Sequence, residues 1–185
     1  MHARADVLKG SLREETVDTV FSAETIATRV GELGGEIAEY YSSGDLLLIG
    51  LLKGSFIFLS DLARVIPRPH QVDFLVAASY GSGKTSSGQV RLLYDPGSNI
   101  EGRHILLVED IVDSGRTLNR LVRLLEARDP LSLEICTLLH KRTAQSLISE
   151  PHFVGFDAPH KFLVGYGLDL AEDYRHLPFV GELRT

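Results

Sequence analysis

The sequence predicts an α/β protein, a mostly parallel central sheet with helices on both faces. Three observations carry that prediction. The apolar runs LLLIGLL at 46–52, ILLV at 105–108 and ICTLL at 135–139 are continuous rather than alternating, as in strands covered on both faces. Segments with apolar residues three and four apart lie between such runs and read as amphipathic helices. Strand alternating with helix over the length of the chain leads to parallel pairing through helical crossovers. With 185 residues the chain suits one domain, at about 100–200 residues per domain.

Residues 1–20 are polar and weakly periodic and read as a loosely held N-terminal segment, leaving 21–185 as a single domain. From Ser22, a plausible N-cap, Ile26, Val30, Leu33, Ile37 and Tyr40 or Tyr41 line one helical face until Ser42-Ser43-Gly44 ends it. A strand at 46–52 follows, then a helix from about Ser55 to Ile66, closed by Pro67. Val72, Phe74, Val76 and Ala78 alternate in the next strand, 71–80, and 89–95 is another, so the two form a hairpin with a long Gly/Ser-rich tip. A buried strand at 104–109, a polar loop at 110–116 and a helix carrying Leu118, Leu121, Val122 and Leu125 come next. Strands at 133–139, 152–157 and 162–168 complete the series.

Composition narrows the function classes. Nineteen Lys and Arg against 25 Asp and Glu give a formal charge of −6 without a basic run, so the chain lacks the electrostatic footprint of a nucleic-acid or anionic-membrane binder. A single Cys excludes an internal disulfide and a Cys-based metal cage, and points to a reducing, cytoplasmic setting. Apolar runs stop far short of the roughly 20 residues of a membrane span, and the first ten residues carry no signal-peptide core. The seven His residues show no metal-type spacing. Cys136, inside a buried strand, reads as an inert core residue.

Ligands of open α/β sheets bind outside the carboxyl ends of the strands, which directs attention to the loops after residues 52, 80, 109, 139 and 168. The richest is Glu109-Asp110-Ile111-Val112-Asp113-Ser114-Gly115-Arg116-Thr117. Gly115 permits a tight turn, Ser114 and Thr117 supply hydroxyls, and the free amides of the following helix make a phosphate cradle. Glu109 and Asp110 would repel that phosphate and so must face a sugar diol or a hydrated Mg²⁺. Phosphate at one end and hydroxyls or metal at the other describe a ribose 5-phosphate. Helix capping alone does not call for three carboxylates within five residues. Gly81-Ser82-Gly83-Lys84-Thr85 imitates a nucleotide-binding P-loop, but Ala78 stands where its first Gly belongs and a strand follows instead of a helix. Lys53-Gly54, Lys141-Arg142 and Asp169 with Arg175 also follow strands, and each is weak when taken alone.

VEDIVDSGRTL at 108–118 resembles the phosphoribosyl diphosphate (PRPP) motif of type I phosphoribosyltransferases. LLKGS at 51–55, SYGSGKTSSG at 79–88, LLHKR at 138–142 and FLVGYGLDLAEDYRHLP at 162–178 extend the resemblance to the bacterial hypoxanthine (hypoxanthine-guanine) branch, in order and from about residue 22 to the end. It implies that fold, with a hood formed by the N- and C-terminal parts and a mobile loop. It further implies transfer of a phosphoribosyl group from PRPP to hypoxanthine or guanine, dependence on Mg²⁺, and a homo-oligomer, dimer or tetramer. Glu109 and Asp110 would then bind the ribose hydroxyls with a metal nearby, and Asp113, Ser114, Gly115, Arg116 and Thr117 the 5-phosphate. Asp113 would be the acid/base group at purine N7. Lys141, Phe162, Leu163 and Asp169 would form the purine site: Lys141 at the 6-oxo group, Phe162 stacked on the ring, the Leu163 backbone at its edge. Lys53, Gly54 and Arg175 would hold diphosphate, Asp169 would help bind a second Mg²⁺, and Ser79 and Tyr80 would anchor the mobile loop. His140 departs from the pattern, because bacterial relatives often carry Asp there.

Two rival readings keep the fold. A xanthine-preferring or adenine phosphoribosyltransferase differs in acceptor, and adenine's 6-amino donor is the wrong partner for cationic Lys141. A non-catalytic, nucleotide-sensing RNA-binding regulator would show a basic surface, which scattered Lys and Arg at a net −6 do not supply.

Overall fold

A computed structural model describes residues 17–79, 90–142 and 147–184. In chain order the elements are β1 (Val17–Phe21), α1 (Ala23–Tyr40), β2 (Leu46–Leu52), α2 (Phe56–Val65), β3 (Gln71–Ser79), β4 (Val90–Tyr94), β5 (His104–Val112), α3 (Arg116–Glu126), β6 (Ser132–His140), β7 (Phe153–Asp157), β8 (Leu163–Val164) and β9 (Val180–Leu183). Six strands form the main sheet in the order β4-β3-β2-β5-β6-β7, all parallel except β4, which pairs antiparallel with β3 as the second strand of the expected hairpin. β1, β9 and β8 form a separate three-stranded antiparallel sheet.

The continuous apolar runs serve both faces at once. Leu46, Leu48, Leu106, Val108, Cys136 and Leu138 pack toward α1 and α2, while Leu47, Ile49, Ile105, Leu107 and Ile135 pack toward Leu118, Leu121, Val122 and Leu125 of α3. Successive side chains of a strand point to opposite faces, so a strand covered on both faces shows no alternation in its sequence. The Ser22 hydroxyl caps α1 by accepting from the Thr25 amide at 3.2 Å, and Ile26, Val30, Leu33 and Ile37 form its buried face. At the end of that helix Tyr41 is the buried tyrosine and Tyr40 the exposed one.

Four expectations need correction. Residues 17–20 are not loosely held: they belong to β1, whose partner β9 the apolar pattern missed because both strands are short and at opposite ends of the chain. β5 does not stop at 109 but runs to Val112, with Ile111 and Val112 in register with Leu139 and His140, so the polar loop is only 113–115. The strand expected at 162–168 is confined to Leu163–Val164, and residues 165–168 turn sharply through Gly165 and Gly167. In β3 the deeply buried residue is Leu75, while Val72 is 42% exposed. No helix among the described residues is long and apolar enough to cross a membrane.

Candidate active site

β2 continues through α2 to β3 on one side, and β5 through α3 to β6 on the other, so the sheet reverses its winding between β2 and β5. The crevice outside the carboxyl ends of those two strands is where doubly wound sheets hold ligands. It receives Lys53 and Gly54 from the end of β2, and Glu109 and Asp110 from the last turns of β5.

The two carboxylates sit where water is scarce. Glu109 is 4% exposed, and burial, with Asp110 beside it, pushes its carboxyl well above the ordinary range. Burial pushes Asp110 up to about 6, against the opposing pull of the Ile111 amide, which donates to Oδ1 at 2.9 Å, and of the nearby Arg175 cation. Asp110 also dictates what precedes α2. A Cβ on Gly54 would lie 1.7 Å from Asp110 Oδ2, so any other residue in the β2 loop would push this carboxylate from its place.

Beyond Val112 the chain turns through Asp113 and Ser114 into Gly115, whose φ of 71° places it in the left-handed region that glycine enters without steric cost. No side chain caps α3 at Gly115, and the start of the helix borders a cavity of about 190 Å³ lined by Glu109, Asp110, Asp113, Ser114, Gly115 and Thr117. Arg116 opens the helix. Uncapped amides at the positive end of a helix suit an anion, and the carboxylates across the cavity suit hydroxyls or a cation.

A second cluster lies over the β2 loop. Arg175 is held by three groups: Nη1 donates to the Gly167 carbonyl at 2.6 Å, and Nη2 pairs with Asp169 at 2.7 Å and with Glu172 at 3.4 Å. Its Nε is buried without a partner. Glu172 Oε2 also accepts from Lys53 Nζ at 3.1 Å, and that bond above all holds the Glu172 carboxyl below its ordinary value. The other Asp169 oxygen accepts from the Glu172 amide at 2.9 Å. Glu172, which sequence did not single out, bridges two cations from separate loops. Its spacing of three from Arg175 was the only available signal.

At the end of β6, Lys141 Nζ donates to Asp113 Oδ2 at 3.0 Å, bringing together two residues 28 apart in sequence. The Lys141 side chain is 14% exposed and that of Asp113 62%, so the lysine is set into the protein and the carboxylate faces out. Phe162 is 56% exposed, an aromatic face left open to solvent, and Leu163 is buried in β8. His140, just before Lys141, is buried, its Nδ1 without a hydrogen-bond partner, and burial lowers its pKa. Ser79 ends β3. Tyr80 and the 81–88 segment lie outside the described residues. Glu109, Asp110 and Asp169 do not make a three-ligand metal group, and no cluster of three or more His, Cys, Asp or Glu suited to a metal occurs among the described residues. An ion held there would be completed by substrate oxygens and water, which is how Mg²⁺ is usually bound.

Comparison with known proteins gives a consistent result. The family profile described as phosphoribosyl transferase domain matches residues 16–170. A hypoxanthine phosphoribosyltransferase of Salmonella typhimurium is 45% identical over 172 residues, covering 92% of this chain and 97% of its own. A hypoxanthine-guanine phosphoribosyltransferase of Mycobacterium avium is 49% identical over 170 residues, covering 89% of this chain and 84% of its own. Among solved structures, a hypoxanthine phosphoribosyltransferase of Staphylococcus aureus superposes with a TM-score of 0.89 at 38% identity, covering 93% of this chain and 94% of that one.

Proposed function

The chain belongs to the phosphoribosyl transferase family, and from that premise we propose how its residues divide the reaction. The enzyme transfers the 5-phosphoribosyl group of PRPP to hypoxanthine or guanine, giving IMP or GMP and diphosphate, and serves purine salvage. The observation that carries the residue assignment is the Lys141–Asp113 pair, 3.0 Å apart, whose carboxylate residue also lines the cavity at the start of α3. O6 and N7 of a 6-oxopurine lie side by side on one edge of the ring. One cation and one carboxylate held side by side suit that edge, with Lys141 donating to O6 and Asp113 facing N7.

In the transfer, the bond from ribose C1 to the diphosphate oxygen breaks and the electron pair leaves with diphosphate. Purine N9 forms the new bond to C1, and the proton on N7 passes to Asp113. The α3 amides with Ser114, Gly115, Arg116 and Thr117 hold the 5-phosphate. Glu109 and Asp110 orient the ribose hydroxyls. Lys53, Gly54 and Arg175 receive the diphosphate, and Phe162 offers its exposed face to the purine while the Leu163 backbone reads its edge. Mg²⁺ would sit by Glu109 and Asp110, with Asp169 beside a second ion, and supplies charge neutralisation for the leaving group. Ser79 and Tyr80 anchor the loop assigned to exclude water from the activated sugar. The small β1-β9-β8 sheet is the hood, joining both ends of the chain. The buried, free Cys136 thiol suits a reducing, cytoplasmic setting, and a homo-oligomer is the expected assembly.

A spectrophotometric assay of PRPP-dependent nucleotide formation, run in parallel with hypoxanthine, guanine, xanthine and adenine, tests the reading. Product is expected with hypoxanthine and guanine and not with adenine. Absence of product with every base overturns it.

A further inference from the structure

We infer that Glu172 is a built-in counter-anion, which fills the diphosphate seat of the empty enzyme and is displaced when a diphosphate group arrives. The inference rests on the assignment of Lys53 and Arg175 to diphosphate. Both cations converge on one carboxylate oxygen: Glu172 Oε2 lies 3.1 Å from Lys53 Nζ and 3.4 Å from Arg175 Nη2. The Glu172–Arg175 pair is a local i,i+3 contact, but Lys53 reaches the same oxygen from the loop after β2, 119 residues away in sequence, so the convergence of both cations belongs to the fold.

Glu172 is held on this position yet easily exchanged. Its φ of 68° lies in the left-handed region, unusual for a residue with a side chain, and its amide is tied to Asp169 Oδ2 at 2.9 Å. Its side chain is 63% exposed and that of Lys53 66%, so their ion pair competes with water and contributes little stability. Arg175 keeps firmer partners in Asp169 at 2.7 Å and the Gly167 carbonyl at 2.6 Å, both of which preserve its orientation when Glu172 moves away. A diphosphate carries several negative charges where a carboxylate carries one, and so displaces it. Once displaced, Glu172 repels the bound diphosphate through a short distance of solvent, which limits its affinity and speeds its departure. Release of product limits turnover in many enzymes.

The test is equilibrium binding of inorganic diphosphate, with Mg²⁺ present, to the full chain and to Glu172→Gln, which keeps the shape and removes the charge. Tighter binding by about threefold to tenfold is expected, the scale of releasing two exposed ion pairs. The inhibition constant of diphosphate as a product should fall by the same factor. A side chain with a merely structural role would not raise affinity when removed. Should the Gln variant fold poorly, Glu172→Gly tolerates the left-handed backbone and gives the same readout. Lys53→Ala serves as the control. Unchanged or weaker binding by the Glu172 variants while Lys53→Ala weakens binding overturns the counter-anion role alone. Unchanged binding in Lys53→Ala overturns the diphosphate seat itself, and this inference with it.

Discussion

In the proposed division of labour Lys141 recognises the base and Asp113 takes its proton, and their burial differs: the lysine side chain is set into the protein and the carboxylate is exposed. Asp113→Asn removes the proton acceptor but preserves shape, so kcat should fall by about 10²–10³, within the range of general acid–base help, while binding of diphosphate stays unchanged. Equal kcat in the variant and the parent would remove Asp113 from the chemistry. Lys141→Ala should lower kcat/KM for hypoxanthine and guanine about tenfold to a hundredfold, the worth of one hydrogen bond to a charged group. The kcat/KM for hypoxanthine and for guanine is the check, and unchanged values would take Lys141 out of base selection. Phe162, an aromatic residue that at a strand end reads equally as core, is 56% exposed just before the two-residue β8.

At the scale of elements, β5 is the one whose length carries the site. An apolar run ended by Glu-Asp reads as a strand followed by a loop, yet the ladder with β6 continues past both carboxylates to Val112. The ladder with β2 ends at Val108, and beyond it β6 alone continues the pairing whatever the side chains, so Glu109 and Asp110 are held by a strand instead of by a loop. The edge of the sheet has a different device. β7 is an edge strand, and Arg29 of α1 donates to its Val154 and Gly155 carbonyls at 2.9 and 3.1 Å while pairing with Glu32 and Glu36. Capping carbonyls that would otherwise invite another strand ties α1 to the sheet. Arg29→Ala should therefore destabilise the fold by about 1.5–3 kcal/mol, the range for hydrogen bonds to a charged group. The midpoint of urea unfolding measures it, and kcat of the folded variant should stay at the parental value because Arg29 lies away from the site.

For the whole molecule, the acidic balance has a cost that pH reveals. Asp110 is raised from 3.8 to about 6, so the folded protein holds its proton more tightly than the unfolded chain does. Stability from this group is present below 3.8 and is lost as the pH rises from there through about 6, because ionising a carboxyl confined by the fold costs more than ionising it in water. At about 1.4 kcal/mol per pH unit, this corresponds to a loss of up to about 3 kcal/mol at neutral pH in metal-free buffer. Asp110→Asn should accordingly be more stable than the parent at about pH 7, and the difference should close on acidification to about pH 4. Urea midpoints across that range, with a chelator present, give the difference, and a gap independent of pH would refute the account. The same substitution should impair catalysis, a trade of stability for function that concentrates at active sites.

The path of the backbone through β2, β5 and β6 was legible in the residues, because uninterrupted apolar runs between helical periodicities admit few arrangements other than a parallel sheet covered on both faces. That the 109–117 segment sits at a strand end and opens a helix was legible as well, since small hydroxyl residues and a glycine after an apolar run mark such a turn. The tertiary structure alone decided which distant residues meet. It set Lys141 against Asp113, placed Glu172 between Lys53 and Arg175, and closed the first described strand onto the last. Periodicity records how each segment meets a core. Contacts between polar side chains from separate loops follow no periodicity, because they depend on where the sheet's twist and the turns deliver the loops in space.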